Sequence, residues 1–170
     1  RLLDLYELTS LAHPEWFQAT QIEAQEERTP RILLAEDSDF FRQQLVGFLQ
    51  TAGYEVVACE DGQIAWDALT AEPSGFDLMV TDLEMPNMSG LELASRIKTT
   101  PATAHLPVIA VTSLATDEDV RRGTEAGIDE YHVKLDREQL MLSVERILRS
   151  RPEAAGSGSA YSEPQFTEAY

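Results

Sequence analysis

Residues 77–90 read DLMVTDLEMPNMSG. Leu78, Met79 and Val80 form an apolar run of the kind found in a strand covered on both faces. The strand reading covers Phe76–Thr81 and delivers Asp82 to its tip, where Met85-Pro86-Asn87 turns the chain away. A carboxylate so placed is held rigidly by the strand, and the turn leaves its face open.

The same alternation extends in both directions. Upstream, Arg31–Glu36 is a short apolar strand, and Phe41, Leu45, Phe48 and Leu49 follow at helical spacing until Gly53 ends the helix. Tyr54–Ala58 is the second strand, and Asp61 caps a helix whose inner face is Ile64, Ala65, Ala68 and Leu69. Trp66 falls at helical spacing with these core residues and reads as packing. Downstream, Ser89 caps a helix carrying Leu91, Ala94 and Ile97, and Pro107–Thr112 is the fourth strand. Thr116 with Asp119 has the pattern of a capping box and opens a short polar helix. Ile128–Val133 is the fifth strand, and Asp136 with Gln139 starts a last helix with the stripe Leu140, Val144, Ile147 and Leu148. Five such units predict an α/β fold, a doubly wound open parallel sheet with helices on both faces.

Length and composition agree with one such domain. The chain has 170 residues, 43% hydrophobic and 25% charged, and no apolar run long enough to span a membrane. The first residue is Arg1 rather than Met, so the sequence is expected to be a piece of a longer chain, and no signal-peptide pattern precedes the regular part. A single cysteine, Cys59, rules out an internal disulfide or a cysteine-rich zinc site and favours a cytoplasmic setting. The formal charge of −17 argues against nucleic acid and anionic membrane as partners. Residues 1–29 carry −4 and residues 152–170 carry −3, so −10 lies in the regular part.

In a doubly wound sheet the binding crevice lies outside the carboxyl ends of the strands. Strand one ends at Glu36-Asp37, strand three at Asp82, strand four at Thr112, and strand five runs into Lys134. Three carboxylates, a hydroxyl and an ammonium are thereby aimed at one rim. Carboxylates that share a pocket repel, and without a cation one of them holds a proton. Hard oxygen ligands without His or Cys suit Mg²⁺, which keeps several waters and accepts phosphoryl oxygens. His13, His105 and His132 are scattered without metal-ligand spacing and read as structural or exposed. Asp82 beside such an ion is placed to attack a phosphoryl donor and form an acyl phosphate. Lys134 and the metal then neutralise charge on the transferred group, and Thr112 donates a hydrogen bond to it.

Four stretches, ILLAEDSDFFR, FDLMVTDLEMPNMSGLEL, LPVIAVTS and GIDEYHVKL, resemble the receiver domains of two-component signalling, the CheY-like fold. The resemblance covers residues 30–151 and implies strand order 2-1-3-4-5 with five helices. It implies Asp82 as phospho-acceptor, and Glu36, Asp37, Asp82 and the backbone carbonyl of Glu84 as the Mg²⁺ site. It also implies Thr112 and Tyr131 as switch residues, Lys134 as the cation at the phosphoryl group, and a phosphohistidine-bearing kinase or phosphotransfer domain as donor. The receiver itself would only assist its own phosphorylation and dephosphorylation. The surface remodelled on phosphorylation would be strand four, the Thr116–Ala126 helix and strand five. Two positions depart from the pattern. Leu135 stands where Pro is usual after the lysine, and Glu84 adds a fourth carboxylate at the mouth, where it would affect access of water to the acyl phosphate.

The flanks carry weaker signals. LLDLYELTSL is similar to the closing strand of the CheW-like domain of chemotaxis-type histidine kinases. Residues 1–29 are therefore expected to be the end of such a domain plus a linker, with a kinase core or CheW-like domain in the same chain as a partner and the receiver acting as phosphate sink or regulator. Residues 152–170, rich in Gly, Ser, Ala and Pro, read as a flexible tail. No helix-turn-helix or basic patch follows Arg151, which argues against direct transcriptional output. Two other classes fit the acids less well. One is a pseudo-receiver that binds partners without phosphorylation, supported only by Leu135 and Glu84. The other is an Asp-nucleophile phosphatase such as the haloacid dehalogenases, whose Asp-x-Asp start is replaced here by Glu-Asp-Ser-Asp.

Overall fold

The structure, a computed structural model, describes residues 28–113, 116–134 and 136–150. The upstream segment expected to end a CheW-like domain, His13, Leu135 and the expected tail lie outside the described residues. The described residues alternate strictly between strand and helix: β1 Arg31–Ala35, α1 Asp39–Thr51, β2 Glu55–Cys59, α2 Gly62–Ala71, β3 Leu78–Asp82, α3 Gly90–Thr99, β4 Val108–Thr112, α4 Asp117–Ala126, β5 Glu130–Val133 and α5 Arg137–Ser150. All strand pairs are parallel, in the order β2-β1-β3-β4-β5. Every residue of β3 and β4 is buried, as a central strand covered on both faces requires.

Alternating side chains divide the core in two. Leu33, Met79, Ala110 and their neighbours pack with Ala65, Leu69, Leu93 and Ile97 on one face. Ile32, Leu34, Leu78, Val80, Ile109 and Val111 pack with Leu45, Leu49, Leu140 and Val144 on the other. Trp66 packs against the first of these clusters, half-buried. The expected caps form. The Asp61 side chain accepts from the Ile64 N–H, Ser89 from Glu92, and Thr116 and Asp119 close a full capping box. Asp136 accepts from Gln139 N–H at 3.2 Å. Gly53, with φ of 93°, follows the end of α1.

One expectation on the second helix fails. Ile64 is 42% exposed rather than inward-facing. The buried seam of α2 is Gly62, Ala65 and Leu69, and Ile64 lies about 100° from it on the first turn. Phe41 and Phe48 of α1 are half-buried, and Leu45 and Leu49 carry that helix's buried seam.

Candidate functional site

The parallel register brings the strand ends to one edge. Ala35 of β1 stands beside Thr81, and Asp82 of β3 stands beside Val111. Thr112 pairs with Val133, and the Lys134 N–H extends that ladder to the Thr112 carbonyl at 2.9 Å. Glu36, Asp82, Thr112 and Lys134 thus meet because each follows or ends a strand of fixed position. Asp82 needs a further local device. Its carbonyl is approached by the start of α3 so closely that a Cβ on Gly90 would fall 2.0 Å from it, and Gly90 N–H donates to Leu83 O at 3.0 Å. Only glycine fits this approach.

The geometry is tight. One oxygen each from Glu36, Asp37 and Asp82 lie within 4.8 Å of one another. Glu36 is 0% exposed and Asp82 6%, while Asp37 is exposed to solvent. The Lys134 ammonium lies 2.7 Å from Asp82 Oδ2 and 2.9 Å from Glu36. It is as close to Glu36 Oε2 as to Oε1 but directs its hydrogen bond at Oε1, so Oε2 accepts no hydrogen bond. Ser38 N–H donates to Glu36 Oε1 at 3.1 Å, and Leu83 N–H to Asp82 Oδ1 at 2.7 Å. Burial and the Asp82 charge raise the Glu36 pKa above the ordinary glutamate value, against the lowering effect of Lys134. Burial opposes the charge on Lys134, but the hydrogen bonds and charges of Asp82 and Glu36 prevail and raise its pKa.

Around this group lies a cleft of about 890 Å³, lined among others by Asp37, Asp82, Glu84, Met85, Thr112 and Arg122. Thr112 is buried at its wall, and the exposed Glu84 stands at its rim. A second groove, about 580 Å³ between Tyr54 and the Arg137–Glu145 stretch of α5, shares none of these residues. Tyr131 lies away from the carboxylates. Its ring packs on the face opposite α5, and its hydroxyl donates to Asp119 O at 3.4 Å.

A buried carboxylate oxygen without a hydrogen-bond partner is costly unless something supplies positive charge. Glu36 Oε2 accepts no hydrogen bond and has the Lys134 ammonium at 2.9 Å as its neighbouring charge, while the possible ligand atoms of Glu36, Asp37 and Asp82 are all hard carboxylate oxygens. That donor set fits a small divalent cation such as Mg²⁺.

Three residues of the site were not singled out by sequence reasoning. Arg42, one turn into α1, donates to the carbonyls of Glu36 at 2.7 Å and Asp37 at 3.2 Å and pairs with Asp39, bracing the loop that carries two of the acids. Asn87, at φ of 62°, donates to Asp61 at 2.6 Å and ties the turn after Asp82 to the cap of α2. Phe41 places its ring 4.8 Å from the Lys134 ammonium. Asn87 carried a usable signal, since Asn is the side chain that tolerates a left-handed turn position. Arg42 and Phe41 look like ordinary helix residues until the tertiary contacts form.

Comparison with known proteins points the same way. The profile described as response regulator receiver domain matches residues 32–145. A gliding motility regulatory protein of Myxococcus xanthus is 40% identical over 119 residues, 69% of this chain and 15% of that protein. The chain thus spans only a small part of that relative. Among solved structures, the signal receiver domain of a signal transduction histidine kinase from Syntrophus aciditrophicus is 30% identical with a TM-score of 0.67, covering 77% of this chain and 100% of that one. The chemotaxis protein CheY4 of Vibrio cholerae is 28% identical with a TM-score of 0.65, covering 70% and 98% respectively.

Proposed function

The chain belongs to the response regulator receiver domain family, and from that premise we propose that it takes a phosphoryl group from a phosphohistidine onto Asp82 with the help of Mg²⁺. The observation that carries this reading is the meeting of Asp82, Glu36 and Lys134 within hydrogen-bond reach, together with the oxygens of Glu36, Asp37 and Asp82 gathered within 4.8 Å of one another. Glu36, Asp37, Asp82 and the backbone carbonyl of Glu84 would hold the ion, which supplies charge neutralisation to the phosphoryl oxygens when bound. Asp82 is the nucleophile. A bond forms between its oxygen and phosphorus as the P–N bond to the donor imidazole breaks. Lys134 neutralises the added charge, and Thr112 donates its hydroxyl to a phosphoryl oxygen. The inward pull on Thr112 is followed by Tyr131, and β4, α4 and β5 change surface.

The setting is a cytoplasmic two-component pathway, the donor a histidine kinase or phosphotransfer domain. Similarity to the receiver of a histidine kinase supports a place within a hybrid kinase. We take residues 30–151 as the receiver, the preceding residues as the end of a CheW-like domain plus linker in a chemotaxis-type kinase, and residues 152–170 as a tail. There the receiver acts as phosphate sink or regulator. No helix among the described residues is long and apolar enough to cross a membrane.

The test is intact mass after incubation with Mg²⁺ and acetyl phosphate. Wild type gains one phosphoryl group and Asp82→Asn gains none. No gain on wild type favours the phosphorylation-independent interaction module. Turnover of many phosphomonoesters favours a phosphatase.

A further inference from the structure

Lys134 has a neighbour that carries no charge. Its ammonium stands over the Phe41 ring, 4.8 Å from the centroid, on a side chain only 6% exposed. Phe41 lies on the first turn of α1, half-buried, and the Phe40 ring packs on it edge to face at 5.3 Å and 72°. Among the described residues, neither hydrophobic cluster of the core includes Phe41. Its ring is partly withdrawn from water, and the contacts the described residues give it are the Phe40 ring and the Lys134 ammonium. Phe40, 62% exposed, props it from outside.

We propose that Phe41 is a positioning residue for Lys134, its ring face standing in for water on the ammonium and keeping it within reach of Asp82 during phosphoryl transfer. The proposal rests on the phospho-acceptor reading above. A lysine ammonium is a strongly hydrated charge on a flexible stem, and left to itself it seeks solvent. An aromatic face within about 6 Å attracts it electrostatically, more strongly when water is excluded. The other two partners of Lys134, Asp82 and Glu36, are both anions whose surroundings change as Asp82 becomes an acyl phosphate. The ring is the contact whose strength does not depend on where the negative charge sits. It holds the stem and head of Lys134 in place while the oxygens facing it are exchanged for phosphoryl oxygens.

The experiment uses the full chain with Mg²⁺ and acetyl phosphate, and compares Phe41→Leu, which keeps apolar bulk, with Phe41→Tyr, which keeps the ring. Phosphorylation of Phe41→Leu is expected to slow about fivefold, and that of Phe41→Tyr to stay within about twofold of wild type. In NMR spectra the Lys134 ε-methylene protons are expected upfield in wild type and Phe41→Tyr, from the ring current, and displaced downfield in Phe41→Leu. Equal slowing of both variants, or none in either, overturns the proposal. A wild type that accepts no phosphoryl group sinks the acceptor reading instead. The Lys134 resonances then decide the positioning claim alone: an upfield shift lost only in Phe41→Leu sustains it, and no upfield shift in wild type overturns it.

Discussion

Glu36 shows how much a single residue is altered by its surroundings. In sequence it is one of 30 acids; in the fold it is wholly buried, shares an ammonium with Asp82 and leaves one oxygen without a hydrogen bond. Burial and the nearby Asp82 charge raise its pKa, so the folded protein binds that proton more tightly than the unfolded chain does. The sign follows from linkage. At neutral pH the charge on Glu36 costs stability, and the cost fades as pH falls through the raised value toward the ordinary glutamate range. Glu36→Gln is therefore expected to raise the stability of the metal-free protein at pH 7. The gain is expected to shrink toward zero near pH 4, and to be accompanied by weaker Mg²⁺ binding. Urea unfolding in chelator at the two pH values checks this; a lower midpoint for the variant at pH 7 contradicts it. At this scale the positions of the candidate site residues were legible. Glu36, Asp37, Asp82, Thr112 and Lys134 can be picked out because each falls at a strand end, and strand ends are readable from apolar runs. The bracing by Arg42 and the ring of Phe41 were not, since an arginine or phenylalanine on a helix has no local mark that tells a loop brace or cation seat from ordinary surface or packing.

Among the elements, α4 carries the clearest unused constraint. Gly123 lies in the interior of this helix, where glycine costs roughly 1 kcal/mol relative to alanine. The cost is explained by Tyr131: an added Cβ would fall 1.1 Å from its hydroxyl oxygen. The tyrosine lies in the hollow that the glycine leaves, which couples β5 to α4. Gly123→Ala is expected to destabilise by about 1–3 kcal/mol, because overpacking outweighs the gain in helix propensity. In a Tyr131→Leu background the same change is expected to become neutral or stabilising. Thermal unfolding of the four proteins tests this reversal, and additive effects would contradict it. An interior glycine in a polar helix was visible in the sequence, yet the side chain that needs it comes from the next strand. Ile64 teaches the complementary lesson. Its spacing placed it on a buried face, but the seam that α2 presents to the sheet is narrower than the periodicity implied.

For the molecule as a whole, the described sheet and helices close two cores. A chain comprising residues 28–150 is expected to unfold in one transition, with a stability within about 0.5 kcal/mol of the 170-residue chain. Urea denaturation of both measures this, and a large loss would mean that a flank completes the domain. By itself the sequence determined the number, order and kind of the described elements, their caps, and the acids, hydroxyl and lysine at the strand ends. These depend on periodicity and capping within a few residues, which are local properties. Only the tertiary structure decided which of those groups touch. Lys134 reaches Glu36 across 98 positions of chain, and the outcome depends on strand register, on the close approach at Gly90 and on the direction each side chain takes from the sheet. Contacts of that kind are settled by packing among elements distant in sequence, and no local pattern encodes them.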